Sequence, residues 1–191
     1  SEATRLVDGV VTKVRTNSVL QSNDFDTTWT AQESSVTGGQ ADKDGGSNAW
    51  KFKPNTSNTY HRIIQTVTAP TNTIQSFSVY AKSDGYDFIR VSENASTGHY
   101  STFNLSNGTV SNSTSANATI ESIGNGWYRC TNTVLTAGYH RFDMYVMESA
   151  SVQQPWIGDG TSGVLIMNAQ QEQGTVATDY IATTTVAVSE G

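Results

Sequence analysis

The sequence predicts an all-β fold, an antiparallel two-sheet β-sandwich of the jelly-roll type. Three observations carry this. No window repeats apolar residues at helical spacing over three turns. Period-two alternation recurs along the chain, giving about ten short strands. Turn dipeptides separate these runs at intervals of roughly 8–15 residues, the spacing of sandwiches and jelly rolls.

The elements follow in order. Ile74 to Lys82 alternates Phe77, Val79 and Ala81 against Ser78, Tyr80 and Lys82. Phe88 to Asn94 sets Ile89 and Val91 against Arg90, Ser92 and Asn94. Trp127 to Leu135 puts Tyr128, Cys130 and Val134 on one face. Tyr139 to Glu148 opposes Phe142, Met144 and Val146 to Arg141, Asp143 and Tyr145. Val164 to Glu172 places Leu165, Met167 and Ala169 against Ile166, Asn168, Gln170 and Glu172. Weaker strand patterns cover Ser18 to Phe25, Ala49 to Lys53, Tyr60 to Val67, His99 to Leu105 and Ala118 to Ser122. Between them lie Asp84-Gly85, Asn107-Gly108, Asn125-Gly126 and Ala137-Gly138, all turn formers. Pro54, Pro70 and Pro155 fall in the inferred loops, where no ladder hydrogen bond is lost. Residues 1–16 read as an N-terminal arm, 17–182 as the sandwich and 183–191 as a tail.

Composition narrows the function. The chain has 191 residues, a net charge of −6 and 15% charged residues. Ser, Thr and Asn make up roughly a third of it, far above ordinary usage. Eleven Lys and Arg, scattered, disfavour nucleic acid, because counterion release needs clustered cations. No apolar run is long enough for a membrane-spanning helix, and SEATRLVDGVV has no charged segment followed by an apolar one. Cys130 is the single cysteine, which excludes an intramolecular disulfide and reads as a small buried hydrophobe. His61, His99 and His140 have no zinc-ligand spacing, and no nucleophile elbow is present. No catalytic residues are assigned.

Three segments occur in a recognisable order: NGWYRCT (Asn125 to Thr131), WIGDGTSGVLIMNAQQEQG (Trp156 to Gly174) and TDYIATTTVAV (Thr178 to Val188). With NSVLQSNDFDTTW (Asn17 to Trp29), FSVYAK (Phe77 to Lys82) and the lead-in ATRLVDGVVTKV (Ala3 to Val14), they resemble a module of tailed-phage virion proteins. The chain departs from that pattern at Met167, Asn168, Gln171 and Ala182. The resemblance implies a jelly roll like that of family 4/9-type carbohydrate-binding modules, carried on a tail- or capsid-associated protein at the virion surface. It implies no catalytic residues, and it does not extend to ligand binding itself; with the polar, low-charge surface, the expected role is non-catalytic, lectin-like adhesion to host-surface or environmental glycans. Partners would be polysaccharide and neighbouring virion chains, with a possible oligomer in a full-length protein. The alternative is a purely structural virion domain, a fibre spacer or capsid decoration.

Sugar recognition needs flat apolar surfaces and fixed planar polar groups. By parity, the face opposite the core offers Tyr80, Arg90, Asn94, Arg141, Asp143, Tyr145, Asn168 and Gln170, with Tyr80 and Tyr145 projecting from the same side. Trp29 and Trp156, beside loop signals, are the candidates for exposed rings, whereas Trp50 and Trp127 read as structural. Jelly rolls of this type often hold a structural Ca²⁺ between the first and last strands. Asp24, Asp26 and Glu172 are the candidate oxygen ligands, and the Asp42 to Asn48 loop is a second candidate.

Overall fold

The computed structural model describes residues 4–7, 10–93, 98–135, 139–150 and 154–190, and these contain no helix. Two six-stranded antiparallel sheets face each other. The first runs β11 (Thr109–Ser113), β10 (Tyr100–Asn104), β9 (Phe88–Ser92), β14 (Tyr139–Met147), β7 (Arg62–Thr68), β4 (Thr30–Gln32). The second runs β12 (Asn117–Gly124), β13 (Trp127–Leu135), β8 (Ile74–Asp84), β15 (Gly163–Gln173), β6 (Ala49–Pro54), β5 (Ser34–Gln40). Two short ribbons complete the set. One is β1 (Thr4–Val7) with β2 (Val10–Lys13); the other is β3 (Arg15–Asn17) with β16 (Val188–Glu190), so the two arms of the chain meet.

The alternation read from the sequence fills the space between the sheets. Phe142, Met144 and Val146 on β14 and Ile89 and Val91 on β9 point inward, as do Phe77, Val79 and Ala81 on β8. Phe142 meets Phe77 and Trp29 edge-on at 5.2 and 5.6 Å between ring centroids, a geometry aromatic quadrupoles favour. Cys130 is buried in this core, and desolvation pushes its thiol pKa far up, so it behaves as a hydrophobe.

Two expectations change. In β15, Met167 pairs with Tyr80 but Gln170 pairs with Ser78, so one extra residue bulges out. Asn168 takes a left-handed φ of 55° there, and its N–H donates to Asn23 Oδ1 at 2.9 Å. The bulge reverses parity: Val164 and Ile166 point inward before it, Ala169 and Gln171 after it. Leu165 and Met167, expected in the core, instead join a small outer cluster with Ala49, Trp127 and Tyr80.

The second change is at Ser18 to Phe25, which is irregular rather than a strand. Gln21 has φ of 47°, and Asp24 N–H turns back to Gln21 O at 3.0 Å. This segment nonetheless closes the edge of β15 beyond the bulge, through Ser18 N to Gln171 O (2.9 Å) and Ala169 N to Ser22 O (2.8 Å). The buried Asn17 amide fixes the junction. It donates to Ala169 O and Ile181 O and accepts from the N–H groups of Val19 and Gln171. Each polar atom thus has a partner, as burial requires.

Candidate functional site

The outer face of the first sheet carries a continuous polar lattice. Register lines up Gln32, Arg62, Tyr145, Arg90, Thr102 and Asn112 across all six strands. One step along lie Ile64, Asp143, Ser92 and Tyr100, and Arg141 stands opposite Thr66. This follows from period two: once Phe142, Met144 and Val146 face the core, Arg141, Asp143 and Tyr145 must face away.

Asp143 is the hub. Arg141 grips its carboxylate side-on, Nε to Oδ1 at 2.5 Å and Nη2 to Oδ2 at 2.6 Å. The Tyr145 hydroxyl donates to Oδ2 at 3.2 Å and accepts from Arg62 Nη1 at 2.9 Å. Arg62 Nη1 also lies 3.6 Å from Oδ2, and its Nε donates to Gln32 Oε1 at 2.6 Å. Next to this group Arg90 donates to Thr102 Oγ1 at 2.9 Å and stacks under the Tyr100 ring, 4.0 Å from its centroid. Burial lowers the Arg90 pKa, and Tyr100 and Tyr145 partly offset this. At the end of β9, Glu93 is buried and receives His99 Nδ1 at 3.0 Å.

The lattice is more enclosed than a solvated face. Asp143, Tyr145 and Arg90 are each at most 1% exposed, while the side chains of Arg62 and Arg141 remain 22 and 23% exposed. Tyr145 is therefore a buried support and not an exposed stacking ring. Long neighbours close over it because their stems lie along the sheet while their heads meet the carboxylate.

Four sequence-derived candidates come together here: Arg90, Arg141, Asp143 and Tyr145. Asn94 lies outside the described residues. Tyr80 does not share this face; β8 belongs to the second sheet, and Tyr80 projects from the opposite side of the sandwich. There Lys43 and Arg129 stand 5.2 and 5.3 Å from its ring centroid. Asn168 occupies the β15 bulge. Gln170 is fully buried under the C-terminal strap, donating to Glu172 Oε1 at 2.7 Å and accepting from Ile181 N. Trp29 and Trp156 are not exposed rings. Trp29 packs between Phe25 and Phe142, and Trp156 between His61 and Tyr86, because loops that close a sandwich bury their apolar side chains beneath them.

The expected calcium ligands do not assemble as a set. Glu172 is buried and accepts from Thr178 N–H, Thr178 Oγ1 and Gln170. Among the described residues no group of three His, Cys, Asp or Glu side chains could hold a metal. Asp24 and Asp26 do adjoin, with Asn23, Ser47 and Asn48 lining the same cleft. A hydrogen bond shared with Asp24 raises the Asp26 pKa, and one Asp24 oxygen, Oδ1, is buried without a partner. In the Asp42 to Asn48 loop, the Asp42 carboxylate instead accepts the N–H groups of Asp44, Gly46 and Asn48, so it is a turn device.

The sequence reading missed Arg62, Gln32, Tyr100 and Thr102. Arg62 was signalled by the Arg62, Ile64, Thr66 alternation of a weakly patterned strand.

The fold and this face define an all-β sandwich with a polar, partly enclosed outer sheet surface. Among solved structures it is similar to the enzymatically active domain of bacteriophage CBA120 tailspike protein 4. The TM-score is 0.49 and the identity 15%, over 82% of this chain and 21% of that one. It is also similar to the CBM22-1–GH10 modules of Clostridium thermocellum endo-1,4-β-D-xylanase 10B, complexed with xylohexaose. There the TM-score is 0.43 and the identity 12%, over 86% of this chain and 28% of that one. The chain thus spans 21 and 28% of those structures, and the likeness is one of fold. No family model matches, and no curated protein matches.

Proposed function

We propose that this domain binds glycans non-catalytically through the outer face of its first sheet, as part of a phage virion surface protein. The observation that carries the reading is the Arg62–Tyr145–Asp143–Arg141 lattice. A buried ionic network adds little net stability compared with apolar packing of the same volume, which is consistent with a recognition role for this one. The planar guanidinium groups are held in place before any ligand arrives, which lowers the ordering cost of binding. Ile64, Phe88 and Tyr100, each partly exposed beside them, add apolar surface for the CH face of a sugar ring. The virion half of the reading rests on the sequence resemblance; the solved structures named above carry none of it.

A glycan array with the full chain tests this. Arg141→Ala is expected to weaken binding about tenfold, roughly 1.4 kcal/mol. Arg141→Ala also leaves the buried Asp143 carboxylate without its side-on partner, so it and Tyr145→Ala are both expected to lower Tm, and binding is compared on folded protein. Wild-type affinity in a folded Arg141→Ala protein would move the site off β14. A purely structural virion role is the second reading. It is favoured by Ile74 and Leu135, cross-strand neighbours on β8 and β13 that are 39 and 58% exposed.

The calcium expectation reduces to Asp24 and Asp26. A divalent cation there would satisfy the unpartnered Asp24 oxygen and relieve the repulsion between two carboxylates. Binding to the native state raises Tm by mass action, so a melt in millimolar Ca²⁺ is expected to lie a few degrees above one in EDTA. Superimposable melts would leave both residues as surface acids.

A further inference from the structure

We infer that the ligand of this face is an acidic glycan, a saccharide bearing carboxylate or sulfate groups. This rests on the glycan reading above and narrows it. The chain carries a net charge of −6, yet half of its arginines (Arg62, Arg90 and Arg141, against Arg5, Arg15 and Arg129) gather on one side of one sheet. Of the outward-pointing residues that register assigns to this face, Asp143 is the one carboxylate among the described residues. Glu93 follows β9 and is engaged by His99.

Exposure sorts the two signs. The carboxylate of Asp143 is fully buried, with both oxygens gripped by Arg141. The side chains of Arg62 and Arg141, whose heads are engaged by Asp143, Tyr145 and Gln32, are the partly exposed charged members of the lattice. What the lattice presents to a ligand is therefore positive, and its negative charge is held inside. A neutral glycan asks for donors and acceptors in comparable number. Beside neutral groups that both donate and accept, such as Gln32, Thr66, Ser92 and Asn112, the charged groups this face adds are guanidinium forks, which suit planar or tetrahedral oxyanions. Arg90 adds a third positive charge from below at low solvent exposure, where screening is weak. A local positive field on an acidic molecule also steers an anionic polymer to this face and away from the rest of the surface.

The test uses the full chain on an array of neutral, uronate-bearing, sialylated and sulfated glycans. Titration of the best binder follows, together with its neutralised form (methyl ester or desulfated) and inorganic sulfate alone. The bound set is expected to be acidic. Neutralising the ligand is expected to weaken binding tenfold or more, and raising salt from about 0.05 to 0.5 M to weaken it several-fold. Arg62→Gln should abolish the preference for the acidic form, while Arg62→Lys retains part of it; the ligand and salt series decide the matter if Arg62→Gln fails to fold. Uncharged glycans as the strongest binders would overturn the acidic class and leave glycan binding standing. Inorganic sulfate binding as tightly as the acidic saccharide would overturn it in favour of a bare anion site. No binder of any class would overturn both readings.

Discussion

Asp143→Ala is expected to cost about 3–5 kcal/mol of folding stability, the range for breaking a buried ionic group by removing one partner. The cost arises from what remains. Arg141 would lose both acceptors of its side-on pair, and the Tyr145 hydroxyl would lose its acceptor. At 0% exposure water cannot replace the carboxylate without opening the face. For a chain of this length each kcal/mol moves Tm by about 2–4 °C, so a drop on the order of 10 °C is expected in a thermal melt. Asp143→Asn keeps the shape and removes the charge; it should fall between the wild type and Asp143→Ala. A melt of Asp143→Ala within a degree or two of wild type would show that the lattice is solvated in solution. The support argument for recognition would then fail with it.

The fold was legible because a sandwich writes its inside and outside into alternate residues. Phe142, Met144 and Val146 on β14, or Phe77, Val79 and Ala81 on β8, need no partner to be assigned to a face. Which sheet each strand joins is not written that way. Tyr80 and Tyr145 both alternate away from core residues, and nothing local distinguishes the outer side of one sheet from that of the other. The β15 bulge was invisible for a related reason. The run Leu165 to Ala169 reads as regular alternation, and the extra residue is revealed by the partner strand, Met167 and Gln170 facing consecutive outward positions of β8. The edge strands β4, β5 and β11 lack strong patterning because one side of each is solvated and their residues are polar on both faces. Among the site residues, type and parity pointed to Arg90, Arg141 and Asp143, but not to the burial of Arg90 and Asp143, which depends on Arg62 and Tyr100 arriving from other strands.

Glu172→Gln is the second large effect, expected at about 2–4 kcal/mol, since hydrogen bonds to a charged acceptor are worth about 1.5–3 kcal/mol each. The carboxylate fastens the strap that follows β15. Its oxygens receive Thr178 N–H at 2.7 Å, Thr178 Oγ1 at 2.6 Å and Gln170 Nε2 at 2.7 Å. A glutamine can keep its oxygen toward Thr178 N–H and Gln170 and turn its amide to the Thr178 hydroxyl, which can accept, so what is lost in this 2% exposed site is the charge behind three hydrogen bonds. The strap has further fastenings at Gln170 Oε1 to Ile181 N and at Arg129 to Thr178 O, so it should loosen without unfolding the sandwich. Hydrogen exchange therefore reads the effect more sharply than a melt. The amides of Thr178 and Ile181 should lose protection ahead of the β8 and β15 core amides. Unchanged protection at Thr178 would mean that the strap is held by Arg129 and the Asn17 junction instead. The same variant bears on calcium. A Ca²⁺-dependent rise in Tm that survives Glu172→Gln belongs to Asp24 and Asp26, whereas one that vanishes would make Glu172 a ligand and contradict its present hydrogen bonding.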